Sequence, residues 1–299
     1  MDSCNTAVVD IGGTNIKYGF LPAGAQTPQF TKEAPTNAHL GGTALMETVQ
    51  ALLRALPAFE RIGVSTCGQV DRQTGGIRYA TDNVPRYTGT PIRSLLEEAF
   101  GVPVAVENDV NAAAVGAATV LGGADGMAGT IAFLNFGTGL AAGIVENGVL
   151  MHGYSGAAGE IGHIPVEPHR LKCPCGQYGC LETVCSGASV GRLWPNADPP
   201  MPDLIRRAKK REAKAVDVLD MVVRAIGDTI QILAQSVDPR LIILGGGMAK
   251  TGEPLVEVIT AELRRRESQC RFLETLDLPA RLRLAPVGQP VGAIGAAMA

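Results

Sequence analysis

The chain has 299 residues, 46% of them hydrophobic but only 4% aromatic, with 37 glycines and a formal net charge of −3. That length suits two lobes better than one core, and the glycine content suits an α/β protein rich in tight turns. The charge gives no reason to expect nucleic acid or an anionic membrane as partner, and no stretch has the length and apolarity of a membrane span.

The opening residues, Met1 to Gly13, carry no basic region and only a short apolar run, so neither a signal peptide nor an anchor is expected. Thr6 to Val9 reads as a strand entering Asp10-Ile11-Gly12-Gly13-Thr14-Asn15, and Ile16 to Phe20 as its return. Glycines at such a tip let backbone N–H groups approach an anion closely. Thr14 adds a hydroxyl donor, and Asp10 can hold a metal ion that accompanies phosphate. The same segment also fits an ordinary glycine hairpin. Leu45 to Leu56 reads as an amphipathic helix, Ile62 to Thr66 as a strand closing on Cys67-Gly68, and Ile92 to Phe100 as a helix stopped by Gly101. Asp82 to Pro85 is a polar loop. The alternation argues for a mainly parallel sheet with crossover helices.

Val104 to Val106 reads as a buried strand and Val110 to Ala118 as a helix, with Glu107, Asn108 and Asp109 between them. Ligands bind at the carboxyl ends of strands in open α/β sheets, and a carboxylate there suits a base that takes a proton from a substrate hydroxyl. The alternative is a polar turn with Asp109 as the helix N-cap. Next, Thr130 to Asn135, Gly137-Thr138-Gly139 and Leu140 to Val145 repeat the strand, Gly/Thr turn and return strand of the N-terminus. The pair reads as an internal duplication that could bracket a polyphosphate.

The most specific stretch follows. Gly159-Glu160-Ile161-Gly162-His163 precedes Cys173-Pro174-Cys175-Gly176-Gln177-Tyr178-Gly179-Cys180-Leu181-Glu182. Three thiols and one imidazole are the donor set of a closed tetrahedral zinc site, which makes His163, Cys173, Cys175 and Cys180 candidate ligands of a structural ion. An odd total of seven cysteines fits a metal site in a reducing cytosol better than a disulfide framework. Glu160 and Glu182 bracket the loop and suit a polyhydroxylated ligand; otherwise they are surface charge or helix caps.

Pro195 to Pro202 reads as a loop, and the apolar positions from Val216 to Val237 as one face of a long helix stopped at Asp238-Pro239. Leu241 to Leu244 is a buried strand ending in Gly245-Gly246-Gly247, where bare backbone could lie against a flat ligand such as an adenine nucleoside or simply make a tight turn. Glu257 to Arg266 reads as a helix whose Arg264-Arg265-Arg266 run is solvated, and Gly292 to Met298 as a small-residue helix packed on another element.

Taken together, these motifs make the chain resemble the zinc-containing sugar-kinase branch of the ROK family (repressors, open reading frames, kinases) over nearly its whole length. The resemblance implies the actin-like ATPase/hexokinase (ribonuclease H-like) α/β fold, with two lobes and an interlobe cleft. It implies a small lobe, residues 1–110, completed by the segment 288–299, and a large lobe, residues 111–287, carrying the zinc loop 163–180. It also implies ATP with Mg²⁺, a hexose substrate, zinc, a cytoplasmic setting and a homodimer. Asp109 would be the base for the sugar's terminal hydroxymethyl. Gly68, Asn83, Asn108, Glu160, His163 and Glu182 would hold the other hydroxyls. Asp10, Gly12, Gly13, Thr14, Gly137, Thr138 and Gly139 would surround the phosphates, with Gly246 and Gly247 beside the adenosine.

Within the family, Leu181 to Gly187, Cys173-Pro174-Cys175 and Ile164-Pro165 look most like the D-allose kinases. Glucokinases, fructokinases, mannokinases and N-acetylmannosamine kinases share most of the same residues. Ala141 stands where the family often has a glycine, and Asn15 where a lysine is common. A sugar-sensing repressor of the family would need a helix-turn-helix ahead of Asp10, for which the nine preceding residues leave no room.

Overall fold

The computed structural model describes residues 4–25, 28–80, 84–122 and 126–298. It divides into two compact units: Met1–Gly126 with Gly148–Ala157 and Gly288–Ala299, and Met127–Asn147 with Ala158–Val287. The first boundary therefore lies beyond the helix that follows Asp109 rather than at residue 110, and the ten residues from Gly148 belong with the first unit. The shift has a packing cause, because that helix is covered by the C-terminal one.

The first unit holds β1 (Thr6–Ile11), β2 (Asn15–Leu21), β3 (Gln29–Pro35), α1 (Gly42–Arg54), β4 (Arg61–Thr66), β5 (Gln69–Val70), β6 (Ile77–Tyr79), α2 (Ile92–Phe100), β7 (Val104–Asn108), α3 (Asp109–Leu121) and the two-residue β10 (Val149–Leu150). Its sheet runs β3-β2-β1-β4-β7. β1 and β2 are antiparallel, while β1 with β4 and β4 with β7 are parallel. Apolar strand faces and the inner faces of α1 and α2 form one core, including Val9, Ile11, Val49, Ile62, Val64 and Leu96.

The second unit carries β8 (Thr130–Phe136), β9 (Leu140–Glu146), α4 (Glu182–Cys185), α5 (Gly187–Leu193), α6 (Pro200–Lys209), α7 (Ala213–Val237), β11 (Leu241–Gly245), α8 (Glu253–Glu267), α9 (Arg271–Glu274) and β12 (Leu282–Leu284). Within it the strands are ordered β9-β8-β11-β12, with β8 and β9 antiparallel and β8, β11 and β12 parallel. Each sheet thus starts from an antiparallel hairpin and grows by parallel strands, the three-dimensional form of the sequence repeat.

The chain closes with α10 (Val291–Met298) in the first unit. Its contact with α3 is made by bare backbone. A Cβ on Gly295 would stand 1.7 Å from the Ala112 carbonyl oxygen, and one on Gly116 would stand 1.9 Å from that of Val291. Only small residues allow two helices to approach this closely.

Three readings change. Pro195 to Pro202 is not all loop, since α6 begins at Pro200, a residue with no N–H to lose at a helix start. Val216 is 43% exposed, and the buried face of α7 starts at Ala215 and Val218. Arg266 is not a solvated end. Its guanidinium reaches Glu262, Asp228 and the Arg224 carbonyl, joining α8 to α7. Among the described residues, no helix is long and apolar enough to cross a membrane.

Candidate active site

In the first unit, β7 delivers Glu107 and Asn108 to the start of α3. The helix cap is Asn108, not Asp109: the Asn108 Oδ1 accepts from the backbone N–H of Val110 (2.9 Å) and of Asn111 (3.2 Å). An Asx side chain in extended conformation before the first turn satisfies two of the otherwise unpaired N–H groups. Asp109 is therefore the first helical residue, and its Oδ1 accepts from the Val110 N–H at 2.9 Å. A carboxylate there lies at the positive end of the helix dipole. Asn108 also donates from Nδ2 to the Gly68 carbonyl at 3.0 Å, so the loop after β4 is fixed to the same turn. Gly68 has φ +95°, and a Cβ on it would stand 2.9 Å from the Tyr79 carbonyl oxygen.

Glu107, in the same turn, is buried and fully engaged. Its Oε1 accepts from the Asn108 N–H (2.8 Å) and the Asn111 Nδ2 (3.0 Å), and its Oε2 accepts from the His152 Nε2 at 2.6 Å. Burial pushes its pKa up, but the hydrogen bonds from His152, Asn111 and Asn108 outweigh that and leave it below the ordinary glutamate value. His152 carries no helical, strand or metal-ligand spacing that would single it out in the sequence. Asn83 lies outside the described residues.

β1 carries Asp10 at the sheet's carboxyl end, one residue before the strand gives way to the β1–β2 turn. Asp10 accepts from the Ser65 Oγ at 2.8 Å, and the Thr36 Oγ1 donates to the Gly12 carbonyl at 2.6 Å. Burial holds the Asp10 carboxyl above its ordinary pKa, opposed by the Ser65 hydroxyl and the Lys17 ammonium. A divalent cation would reverse that balance. Gly12 is needed for closeness, because its Cβ would stand 2.9 Å from the Asn15 carbonyl oxygen. Gly13, beside Thr14, opens onto free space.

In the second unit the Gly137-Thr138-Gly139 turn is packed on two sides. A Cβ on Gly246, at φ +84°, would lie 2.4 Å from the Phe136 carbonyl carbon, so the turns after β8 and β11 touch. Gly247 has open space beside it. On the other side, Glu182 places its Oε2 on the Leu140 N–H at 2.9 Å. Ala141 lies in β9 opposite Asn135, so its methyl belongs to the strand rather than the turn. Gly159 packs on β9, where a Cβ would meet the Ala142 carbonyl oxygen at 1.8 Å, and this sets the path of Glu160. Burial raises the Glu160 pKa, with His163 opposing and Glu182 adding to the shift.

His163, Cys173, Cys175 and Cys180 converge, with one donor atom from each lying within 4.8 Å of all the others. The His163 Nδ1 is 3.7 Å from the Cys173 Sγ, and the Cys175 and Cys180 Sγ atoms are 3.7 Å apart. Three thiols and an imidazole at these separations fit one tetrahedral zinc ion. Gly176 (φ +96°) and Gly179 (φ +84°) make the knuckle's turns, and Gln177 Nε2 donates to the His163 carbonyl at 3.3 Å.

Two sheets, each with an antiparallel hairpin followed by parallel strands and a glycine turn at the hairpin tip, define the actin-like ATPase/hexokinase class. The chain belongs to the ROK family, whose model matches residues 6–299. It is 32% identical to a glucokinase of Halalkalibacterium halodurans, over 96% of this chain and 92% of that protein. A ROK hexokinase from Thermus thermophilus superposes with a TM-score of 0.77 at 31% identity, covering 98% of this chain and 97% of that one. A ROK glucokinase from Streptomyces griseus, solved with glucose and AMPPNP, gives 0.75 at 28% identity, covering 98% of each chain.

Proposed function

We propose that this protein is an ATP-dependent hexose kinase that transfers the γ-phosphoryl group to the 6-hydroxyl of an aldohexose. The observation that carries the reading is Asp109 at the first position of α3, directly after the carboxyl end of β7 and beside the Asn108 cap. Full-length similarity to ROK hexokinases and glucokinases supports it.

Phosphoryl transfer asks little covalent chemistry of the protein, so positioning and charge stabilisation carry the rate. Asp109 accepts the proton of the 6-hydroxyl as it attacks. Gly68, Asn83, Asn108, Glu160, His163 and Glu182 take up the remaining hydroxyls. The turns at Gly12, Gly13 and Thr14 and at Gly137, Thr138 and Gly139 present backbone N–H and hydroxyl donors to phosphate oxygens, and Gly246 and Gly247 leave room for the nucleoside. Asp10 would be the protein partner of the Mg²⁺ that accompanies ATP, an ion that would supply neutralisation of the phosphate charge. His163, Cys173, Cys175 and Cys180 would hold a structural zinc ion. With Nδ1 turned to the thiols, His163 keeps Nε2 for a sugar hydroxyl, so a bound ion would also steady that substrate contact.

The sugar is the finer question. The run Leu181 to Gly187 with Cys173-Pro174-Cys175 supports D-allose, whereas the glucokinase relatives support D-glucose. The two differ only in the configuration at C3, so the placement of one hydroxyl partner decides between them. A homodimer in the cytoplasm completes the reading, and sedimentation velocity tests the dimer.

Coupled ADP release with Mg-ATP is the test, run across allose, glucose, mannose, fructose, N-acetylmannosamine and N-acetylglucosamine with Asp109→Asn as control. The expected outcome is turnover on at least one aldohexose, lowered in the control by roughly three orders of magnitude or more. Allose leading in kcat/KM supports the narrower reading, and glucose leading replaces it. No turnover on any sugar by folded, zinc-loaded protein rejects the kinase.

A further inference from the structure

The hydrogen-bonded pair His152–Glu107 has no part in the chemistry above, yet both oxygens of its nearly buried carboxylate are engaged. Both side chains are nearly buried, 13% and 11% exposed. Glu107 accepts three donors besides any water: the Asn108 N–H, the Asn111 Nδ2 and the His152 Nε2. The first two belong to the turn that places Asp109. The third comes from the ten-residue segment Gly148–Ala157, which leaves the second unit's β9 to join the first unit. That segment is also tied by Gln69 Nε2, which donates to the Ser155 carbonyl at 3.1 Å. Its side-chain anchor inside the protein is His152.

We infer that His152 is a positioning residue: by donating from Nε2 to the Glu107 Oε2 it holds the turn Glu107–Asn111, and through that turn the carboxylate of Asp109. The inference rests on Asp109 being the kinase base and adds a residue that the proposed function leaves out.

The physical route is short. A buried carboxylate with one oxygen stripped of its donor either takes up a proton or rotates toward water. Rotation removes the acceptor from the Asn108 N–H and the Asn111 Nδ2 together, because both bonds end on Oε1. Asn108 is the cap of α3 and Asn111 sits in its first turn, so the backbone that carries Asp109 loses two of its fixed points. The effect reaches Asp109 through the backbone of the turn. A base displaced by a fraction of an ångström loses rate while the affinities set by other residues persist.

The test compares His152→Leu, which fills space without donating, with His152→Gln, whose amide can donate at similar reach. Both are measured for steady-state kinetics, melting temperature and amide exchange over residues 107–112. In His152→Leu, kcat is expected to fall about ten- to a hundredfold while the KM values for sugar and ATP change less than about threefold. Exchange over 107–112 is expected to quicken about tenfold or more, while exchange elsewhere in the protein moves only with the few degrees lost in melting temperature. His152→Gln is expected to recover most of both. Parental kcat in His152→Leu, unmoved exchange, or a glutamine variant as impaired as the leucine one overturns the proposal. If Asp109→Asn keeps parental turnover, the kinase-base reading has failed instead, and exchange alone decides whether His152 orders the turn.

Discussion

The Oε2 oxygen of Glu182 accepts the Leu140 N–H at 2.9 Å and lies 2.6 Å from where a Cβ on Gly139 would stand. A carboxylate proposed to bind sugar thereby rests on the turn proposed to bind phosphate, within one unit. Gly139→Ala is expected to push Glu182 off Leu140, lowering kcat/KM for the sugar about tenfold or more, the scale of one lost charge-assisted hydrogen bond. Gly13→Ala makes the contrast, because nothing lies within 4 Å of its Cβ and any loss should fall on the KM for ATP. Steady-state kinetics with each substrate varied separates the two, and identical profiles would refute the distinction.

Much of this was legible before any coordinates. Regular apolar spacing gave α2 with its observed limits, Ile92–Phe100, and the repeated glycine hairpins foretold two sheets of like order. The cysteine spacing foretold a cluster because four soft donors in one short loop have few other uses. What escaped were decisions between near-equal local choices. Asn108 and Asp109 can both cap a helix, and only the backbone path selects the asparagine. The Arg264-Arg265-Arg266 run has the composition of a solvated end, and only the lack of a side chain at Gly227, on the neighbouring helix, admits Arg266 between helices. His152 escaped because a lone histidine gains meaning only from the carboxylate facing it.

Removal of the metal ligands tests the second unit. Cys175→Ser, or the parent protein treated with a chelator, is expected to lose bound zinc, melt several degrees lower (the shift produced by about 1–2 kcal/mol) and bind sugar more weakly, because His163 is then held only by its backbone. Elemental analysis, thermal melts and sugar titration calorimetry measure the three losses. Unchanged sugar affinity in zinc-free protein would sever the proposed link between metal and substrate.

Asp10 should trade stability for activity. Burial holds its carboxyl above the ordinary value of 3.8, despite the Ser65 hydroxyl and Lys17. The folded state then binds more protons than the unfolded one between the two pKa values. Its cost to stability is absent below the unfolded value, grows as pH rises through that window and is complete above the folded value. Glu107 runs the other way: its lowered pKa contributes stability above the ordinary glutamate range that is lost as pH falls through the folded value. Asp10→Asn keeps the acceptor for Ser65 and removes the charge. It is expected to melt higher than the parent at pH 7 without Mg-ATP, to converge with it toward pH 3, and to lose roughly two orders of magnitude or more in kcat. Melting curves against pH decide the first part, and parallel curves at all pH values would contradict it.

Arg266 supplies the last test. Its guanidinium bonds Glu262 Oε1 (2.8 Å), Asp228 Oδ1 (2.8 Å) and the Arg224 carbonyl (2.8 Å), at 14% side-chain exposure. A Cβ on Gly227 would stand 2.7 Å from its Nη2, so the helix surface is cut away to seat it. Glu262 is almost fully buried, and its pKa is pushed up by burial but brought below the ordinary value by Arg265 and Arg266. Removing one cation leaves Arg265 as the remaining partner, which softens the loss. Arg266→Ala is expected to destabilise by about 3 kcal/mol, near the lower end for breaking a buried pair. Gly227→Ala should also destabilise, although an alanine in a helix interior ordinarily gains about 1 kcal/mol over glycine. Urea unfolding of both variants measures the two changes, and a stabilised Gly227→Ala would mean that Arg266 moves aside without cost.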